Sequence, residues 1–179
     1  QASSVKARHA KGERARLKGG TSHRVHYFHQ VEDGYSHLAA QLLMPLQARY
    51  DIELRCHLVC ADRKKNVPEP ALLARLSRYE SQLVAPGYGL VFPDHLHEPD
   101  AHHVSLATCI LAAQSPETFP EVAATVGDAL WAGDGARLNH LAEAHGRTAI
   151  GQAEAAVESG TQLRREMKHY SGAMFYYGG

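Results

Sequence analysis

The chain has 179 residues, 44% of them apolar, with 19 basic and 19 acidic side chains, 13 His and 3 Cys. That length supports one domain, or one domain carrying a sizeable insertion, with a real hydrophobic core. Formal neutrality removes whole-chain basicity as an argument for nucleic-acid binding, and no window approaches the roughly 18 apolar residues of a membrane span, so neither partner is expected.

The neutral total divides unevenly. Residues 1–20 hold six basic side chains (Lys6, Arg8, Lys11, Arg14, Arg16, Lys18) against Glu13 alone, leaving the remainder net −5. With no apolar run and a Gly19-Gly20 ending, 1–22 reads as a basic, flexible arm, and it lacks the apolar stretch of a secretory signal. The absent initiator Met and the Gly178-Gly179 ending suggest a piece of a longer product. Cys56 and Cys60, four apart in an extended segment, are about 13 Å apart at strand rise, too far for a disulfide. With Cys109 they read as buried thiols of a reducing, cytoplasmic protein.

Next, His23–Val31 alternates β-forming residues and predicts a strand. Asp33 is placed as N-cap of a helix from Tyr35 to Tyr50, with Leu38, Leu42, Leu43 and Leu46 on its apolar side and Pro45 as a bend or break. Ile52–Cys60 alternates again, as a second strand would. Strand, helix, strand is a βαβ unit, so the two strands should be parallel neighbours.

Helical periodicity follows in Ala71–Val84 (Leu72, Leu73, Leu76, Tyr79, Leu83), His103–Gln114, Thr118–Ala132, Gly135–His145 and Thr148–Tyr170, the last interrupted at Ser159-Gly160. Gly172–Gly178 returns to aromatic, strand-like chemistry. Trp131 and Phe119 read as core, and Arg164-Arg165 with Glu166 and Lys168 as a solvated face. The division that results is 1–22 as arm, 23–66 with 171–179 as an α/β unit, and 67–170 as a helical insertion.

The segment Asp94–His103 gathers His95, His97, His102 and His103, but it meets no zinc spacing and is broken by Pro99; it reads as a solvated loop, and no metal is expected.

The order βαβ, helical insertion, late strand resembles the DsbA-like branch of the thioredoxin superfamily. His26-Tyr27-Phe28 leading into Asp33-Gly34-Tyr35-Ser36-His37-Leu38 is similar to the strand-to-helix turn of kappa-class glutathione transferases and 2-hydroxychromene-2-carboxylate isomerases. Arg49–Leu54 resembles their helix exit and second strand, and Ser171–Gly179 the strand after their insertion. The likeness implies a thioredoxin-like α/β fold in a bacterial-type protein, with a further strand and helix beyond Gly179. It also implies the family label of oxidoreductase, glutathione or another small thiol ligand, and a homodimer.

The resemblance places the attacking and resolving cysteines of dithiol members at Asp33 and Ser36. A carboxylate cannot exchange with a disulfide, so dithiol exchange is not expected. Where glutathione-using members have Ser, ionised Asp33 would repel a thiolate unless Ser36 or the helix amides take over. The late strand's cis-Pro falls at Ala173-Met174, where a trans bond is expected.

Two readings of the turn therefore stand. In the first, Asp33 and Ser36 are a helix cap alone, satisfying exposed amides at the positive end of the helix dipole. Alternatively the helix end is a ligand site, with Asp33 as general base, Tyr35 or Ser36 bonding the substrate, and Gly34, His37, Ala173 and Met174 binding glutathione. His26, His29 and His37 add titratable groups. The corresponding functions are a glutathione-dependent isomerase or transferase, and a binding or scaffold protein without chemistry.

Overall fold

The computed structural model describes residues 2–20, 22–61, 69–93, 98–170 and 172–177. A three-stranded sheet of order β2-β1-β3 lies at its centre. β1 (His23–His29) and β2 (Ile52–Leu58) run parallel, from the pair His23 and Ile52 to the pair His29 and Leu58. β3 (Met174–Tyr176) returns antiparallel on the other side of β1, with Met174 opposite Phe28 and Tyr176 opposite His26.

The crossover is α2 (Gly34–Arg49), which continues unbroken through Pro45. Its apolar side meets one face of the sheet, where Tyr27, Leu43, Leu54 and Leu58 join a single core with Ile110, Val122, Val126, Leu130 and Leu138 of the helical layer. Fully burying side chains of this kind contributes about 1.5–3 kcal/mol each. That layer comprises α4 (Ala101–Ala112), α5 (Phe119–Trp131), α6 (Gly135–His145) and α7 (Ile150–Glu166). α3 (Pro70–Val84) packs on α2, with Ser81 against Gly34, and leads into a short 3-10 turn at Ala85–Tyr88.

Several expectations are modified. The stretch read as a flexible arm is helical over Ala2–Gly19 (α1), because Ala, Arg, Lys, Leu and Glu dominate it and Arg16 pairs with Glu13 one turn away. α7 is not interrupted at Gly160. The missing side chain there lets the helix approach the Leu58 carbonyl of β2. Arg164, expected on a solvated face, is fully buried and donates to the Cys60 carbonyl at 3.0 Å, beside the Thr161 hydroxyl that accepts from the Cys60 N–H. These two contacts satisfy the backbone where β2 has ended, so Cys60 lies beyond the strand. Phe119 and Trp131 are buried as read. His95 and His97 fall outside the described residues. Nearby, Asp100 caps α4 by accepting from the His102 and His103 N–H groups.

Candidate functional site

Both parallel strands end at the N-terminus of α2. The chain leaves β1 at His29, turns through Gln30–Glu32, and enters the helix at Asp33, whose extended backbone is that of an N-cap. Asp33 Oδ2 accepts from the Ser36 N–H at 2.8 Å and from the Ser36 hydroxyl at 3.0 Å, while Oδ1 accepts from the Ser77 hydroxyl of α3 at 2.8 Å. Three donors from two helices therefore hold this carboxylate in one orientation, in line with the positive end of α2.

Ser36 is the hub of the turn. Its side chain has no exposure, and its Oγ accepts from the Gln30 N–H at 3.1 Å and the Ala173 N–H at 3.0 Å while donating to Asp33. One hydroxyl thus ties the β1 exit, the helix cap and the approach to β3. Ala173 holds a left-handed backbone conformation, φ +52°, beside this contact, and the described peptide bonds are all trans. Positive φ in a residue with a Cβ costs of the order of 1 kcal/mol, so the Ser36 bond helps to hold a strained corner.

A cavity of about 480 Å³ opens beside the cap, lined by Gln30, Asp33, Tyr35, Ser77, Tyr170 and Ala173 among others. Tyr35 donates its hydroxyl to Glu80 at 2.8 Å; partial burial and the Glu80 carboxylate both raise its pKa, which keeps it a donor. The described lining carries one carboxylate and no Lys or Arg. A larger hollow of about 670 Å³ lies at the other end of the sheet, between Val25, Leu46, Ile52, Leu54 and Phe175. Both linings are largely apolar and carry some polar groups, His23 and Asp51 among them in the larger; the smaller lies at the α2 N-terminus, where the Asp33 carboxylate and the Tyr35 and Ser77 hydroxyls meet, which makes it the candidate site.

Of the residues read from the sequence, Asp33, Tyr35 and Ala173 come together at this cavity and Ser36 lies directly beneath it. Gly34 is buried against α3, where a Cβ would press on the Ser81 hydroxyl at 2.6 Å, so its role is close helix packing. His37 is turned away from the cavity. It is 1% exposed, lies between α2 and α5 with Nε2 3.5 Å from Asp128, and is pushed down to about 4 by burial, which outweighs the opposing contact with the Val91 backbone. Met174 pairs with Phe28 in the sheet and is not among the cavity's lining residues.

His29 is sealed below the turn. Tyr27 donates to the Ser36 carbonyl at 2.9 Å, so the His29 Nδ1–H at 2.9 Å is the donor to Tyr27. Burial pushes the His29 ring down to about 3, holding it neutral at physiological pH. His26 stacks on His57 on the sheet, and burial lowers both.

Sequence reasoning missed Gln30, Ser77 and Tyr170. For Ser77 a signal existed: Ala74, Ser77 and Ser81 form a small-residue line along α3, the mark of close approach to another helix. Among the described residues, no three His, Cys, Asp or Glu side chains gather as a metal site. Cys56 is pushed up to about 12 by burial, and none of the three free thiols lines the cavity.

No protein-family model and no curated protein sequence matches the chain. Solved structures do. 2-Hydroxychromene-2-carboxylate isomerase superposes with a TM-score of 0.58 at 17% identity, over 86% of this chain and 84% of that one. A protein assigned as a DsbA oxidoreductase from Streptomyces coelicolor gives 0.55 at 12% identity, over 86% and 79%. A protein assigned as a disulfide isomerase from Nitrosomonas europaea gives 0.56 at 14%, over 87% and 88%. The βαβ unit, helical insertion and returning strand are therefore those of a DsbA-like thioredoxin fold.

Proposed function

We propose that this chain is a small-molecule-binding protein built on the DsbA-like fold, which takes an uncharged or cationic polar ligand at the α2 N-terminus and does not exchange dithiols. The observation that carries this reading is the Asp33 carboxylate, held by three donors at the helix end beside an open cavity. Anionic ligands meet a fixed negative charge there, and the described lining offers no cation to offset it. The Ser36 hydroxyl and N–H are already committed to Gln30, Ala173 and Asp33, so they do not take over a thiolate. This lining disfavours glutathione in its thiolate form.

Binding rests on Asp33 as acceptor and on Gln30 and Tyr170 as polar wall residues, with Tyr35 held by Glu80. The competing reading, a glutathione-dependent isomerase or transferase, draws on the likeness to 2-hydroxychromene-2-carboxylate isomerase.

A calorimetric comparison of glutathione with its diethyl ester separates the two, because the tripeptide skeleton is shared while the net charge changes from negative to positive. The ester should bind at least about tenfold more tightly, and Asp33→Asn should remove that preference. Tighter binding of glutathione itself, or an ester preference that survives Asp33→Asn, would sink the reading. Catalytic turnover in a disulfide-reduction assay would overturn the claim about dithiols.

A further inference from the structure

A further cavity, of about 410 Å³, opens where the N-terminus of α7 meets α4, and it shares no lining residue with the cavity beside Asp33. α7 starts behind Ala149, whose methyl side chain cannot accept a hydrogen bond. The Ala149 carbonyl accepts from the Gln152 and Ala153 N–H groups at 3.0 and 3.1 Å, whereas the Ile150 and Gly151 N–H groups have no acceptor among the described residues. A Cβ at Gly151 would touch nothing within 4 Å, so this helix end is open.

The walls add donors of their own. Arg147 lines the cavity from the turn before α7, and among the described residues no carboxylate pairs with it. From α4, His102, Ser105 and Cys109 line the opposite wall, at the spacing of one helix face. Cys109 is 7% exposed, and its thiol, a weak donor, makes no hydrogen bond among the described residues. The Thr148 N–H bonds the Cys109 carbonyl at 3.0 Å, which ties the two walls together. No Asp or Glu is in the lining; Glu154, one turn into α7 and near Cys109, stands outside it.

Unspent donors, a guanidinium and the positive end of a long helix together complement an anion. A phosphate monoester offers three terminal oxygens to such a set, one more than a carboxylate. The volume is that of a small-molecule site, and Leu106 and Ile150 supply apolar wall for an organic group. We propose that this cavity binds a small organic phosphate monoester, with the phosphoryl group against Arg147 and the Ile150 and Gly151 N–H groups and the organic part along Leu106. The inference does not depend on which ligand the Asp33 cavity takes.

Amide chemical-shift mapping of the full 179-residue chain, titrated with phenyl phosphate, inorganic phosphate and benzoate, tests this. Shifts should concentrate at Ser105, Cys109, Thr148, Ile150 and Gly151, and phenyl phosphate should bind at least about fivefold more tightly than inorganic phosphate. Arg147 is exposed, so Arg147→Gln should keep the parent spectrum elsewhere while weakening phenyl phosphate about tenfold. Ser105→Ala should weaken it about threefold from the other wall. Silence at these amides up to about 10 mM, shifts confined to the basic residues 1–20, or an affinity indifferent to Arg147→Gln overturns the inference. Benzoate binding as tightly as phenyl phosphate overturns the choice of a phosphate, and inorganic phosphate doing so overturns the organic part.

Discussion

Replacing Ser36 by alanine removes one oxygen from the most connected point of the site. That oxygen is fully buried and accepts from two backbone N–H groups, those of Gln30 and Ala173, while donating to Asp33. A methyl group offers nothing to either N–H. Leaving a buried donor unsatisfied costs about 1–3 kcal/mol, so the two together amount to about 2–6 kcal/mol. Domains of this size carry about 5–15 kcal/mol of net stability, so the loss is a large share. The melting temperature should fall by about 4–24 °C, at about 2–4 °C per kcal/mol. Urea titration of parent and variant reads the change directly, with an unchanged slope showing that the same surface unfolds. A loss below about 1 kcal/mol would show that Ser36 does not hold the turn together. Reduced ligand affinity without that loss would make it a ligand contact instead of a structural hub.

Stability should fall as pH drops from about 7 to 5. His29 and His37 are held neutral by burial, at about 3 and about 4, whereas the unfolded chain takes up both protons below about 6.5. Their contribution is thus complete above that value and is lost as pH falls toward their folded values, about 2 kcal/mol each by pH 5; His29→Gln should flatten the slope seen in urea titrations at stepped pH. Gly160→Ala should cost about 1–3 kcal/mol or more, because its Cβ would run into the backbone carbonyl of Leu58, which cannot move aside as a side chain can; thermal unfolding measures this. Asp33→Ala should destabilise by about 1–2 kcal/mol through loss of the α2 cap, with Asp33→Asn milder because its side-chain carbonyl can still accept; chemical denaturation distinguishes the two.

The βαβ unit was legible because local patterns and tertiary structure agree there: alternation in His23–His29 and Ile52–Leu58, and a capping Asp33 before a leucine-rich helix. Periodicity also placed the insertion helices, but it cannot say whether an apolar stripe is covered. Leu72, Leu76, Tyr79 and Leu83 have the spacing of core residues and face outward. The converse misreading befell Arg164, whose charge suggests solvent while its position opposite the end of β2 requires burial. Asp33 and Ser36 were found as a local cap. Their wider role was not legible, because Ser36 reaches Ala173 across 137 positions and Asp33 reaches Ser77 across 44. Similarly, nothing local separates His37, sealed under α5, from a histidine facing a ligand.

Ligand binding at the α2 N-terminus beside Asp33 is read by amide chemical-shift mapping during titration with glutathione diethyl ester. Perturbations should concentrate at Gln30, Asp33, Tyr35, Ser77, Gly172 and Ala173, which border the 480 Å³ cavity, and should vanish in Asp33→Asn. Perturbations confined to Val25, Ile52, Leu54 and Phe175 around the opposite hollow would contradict it.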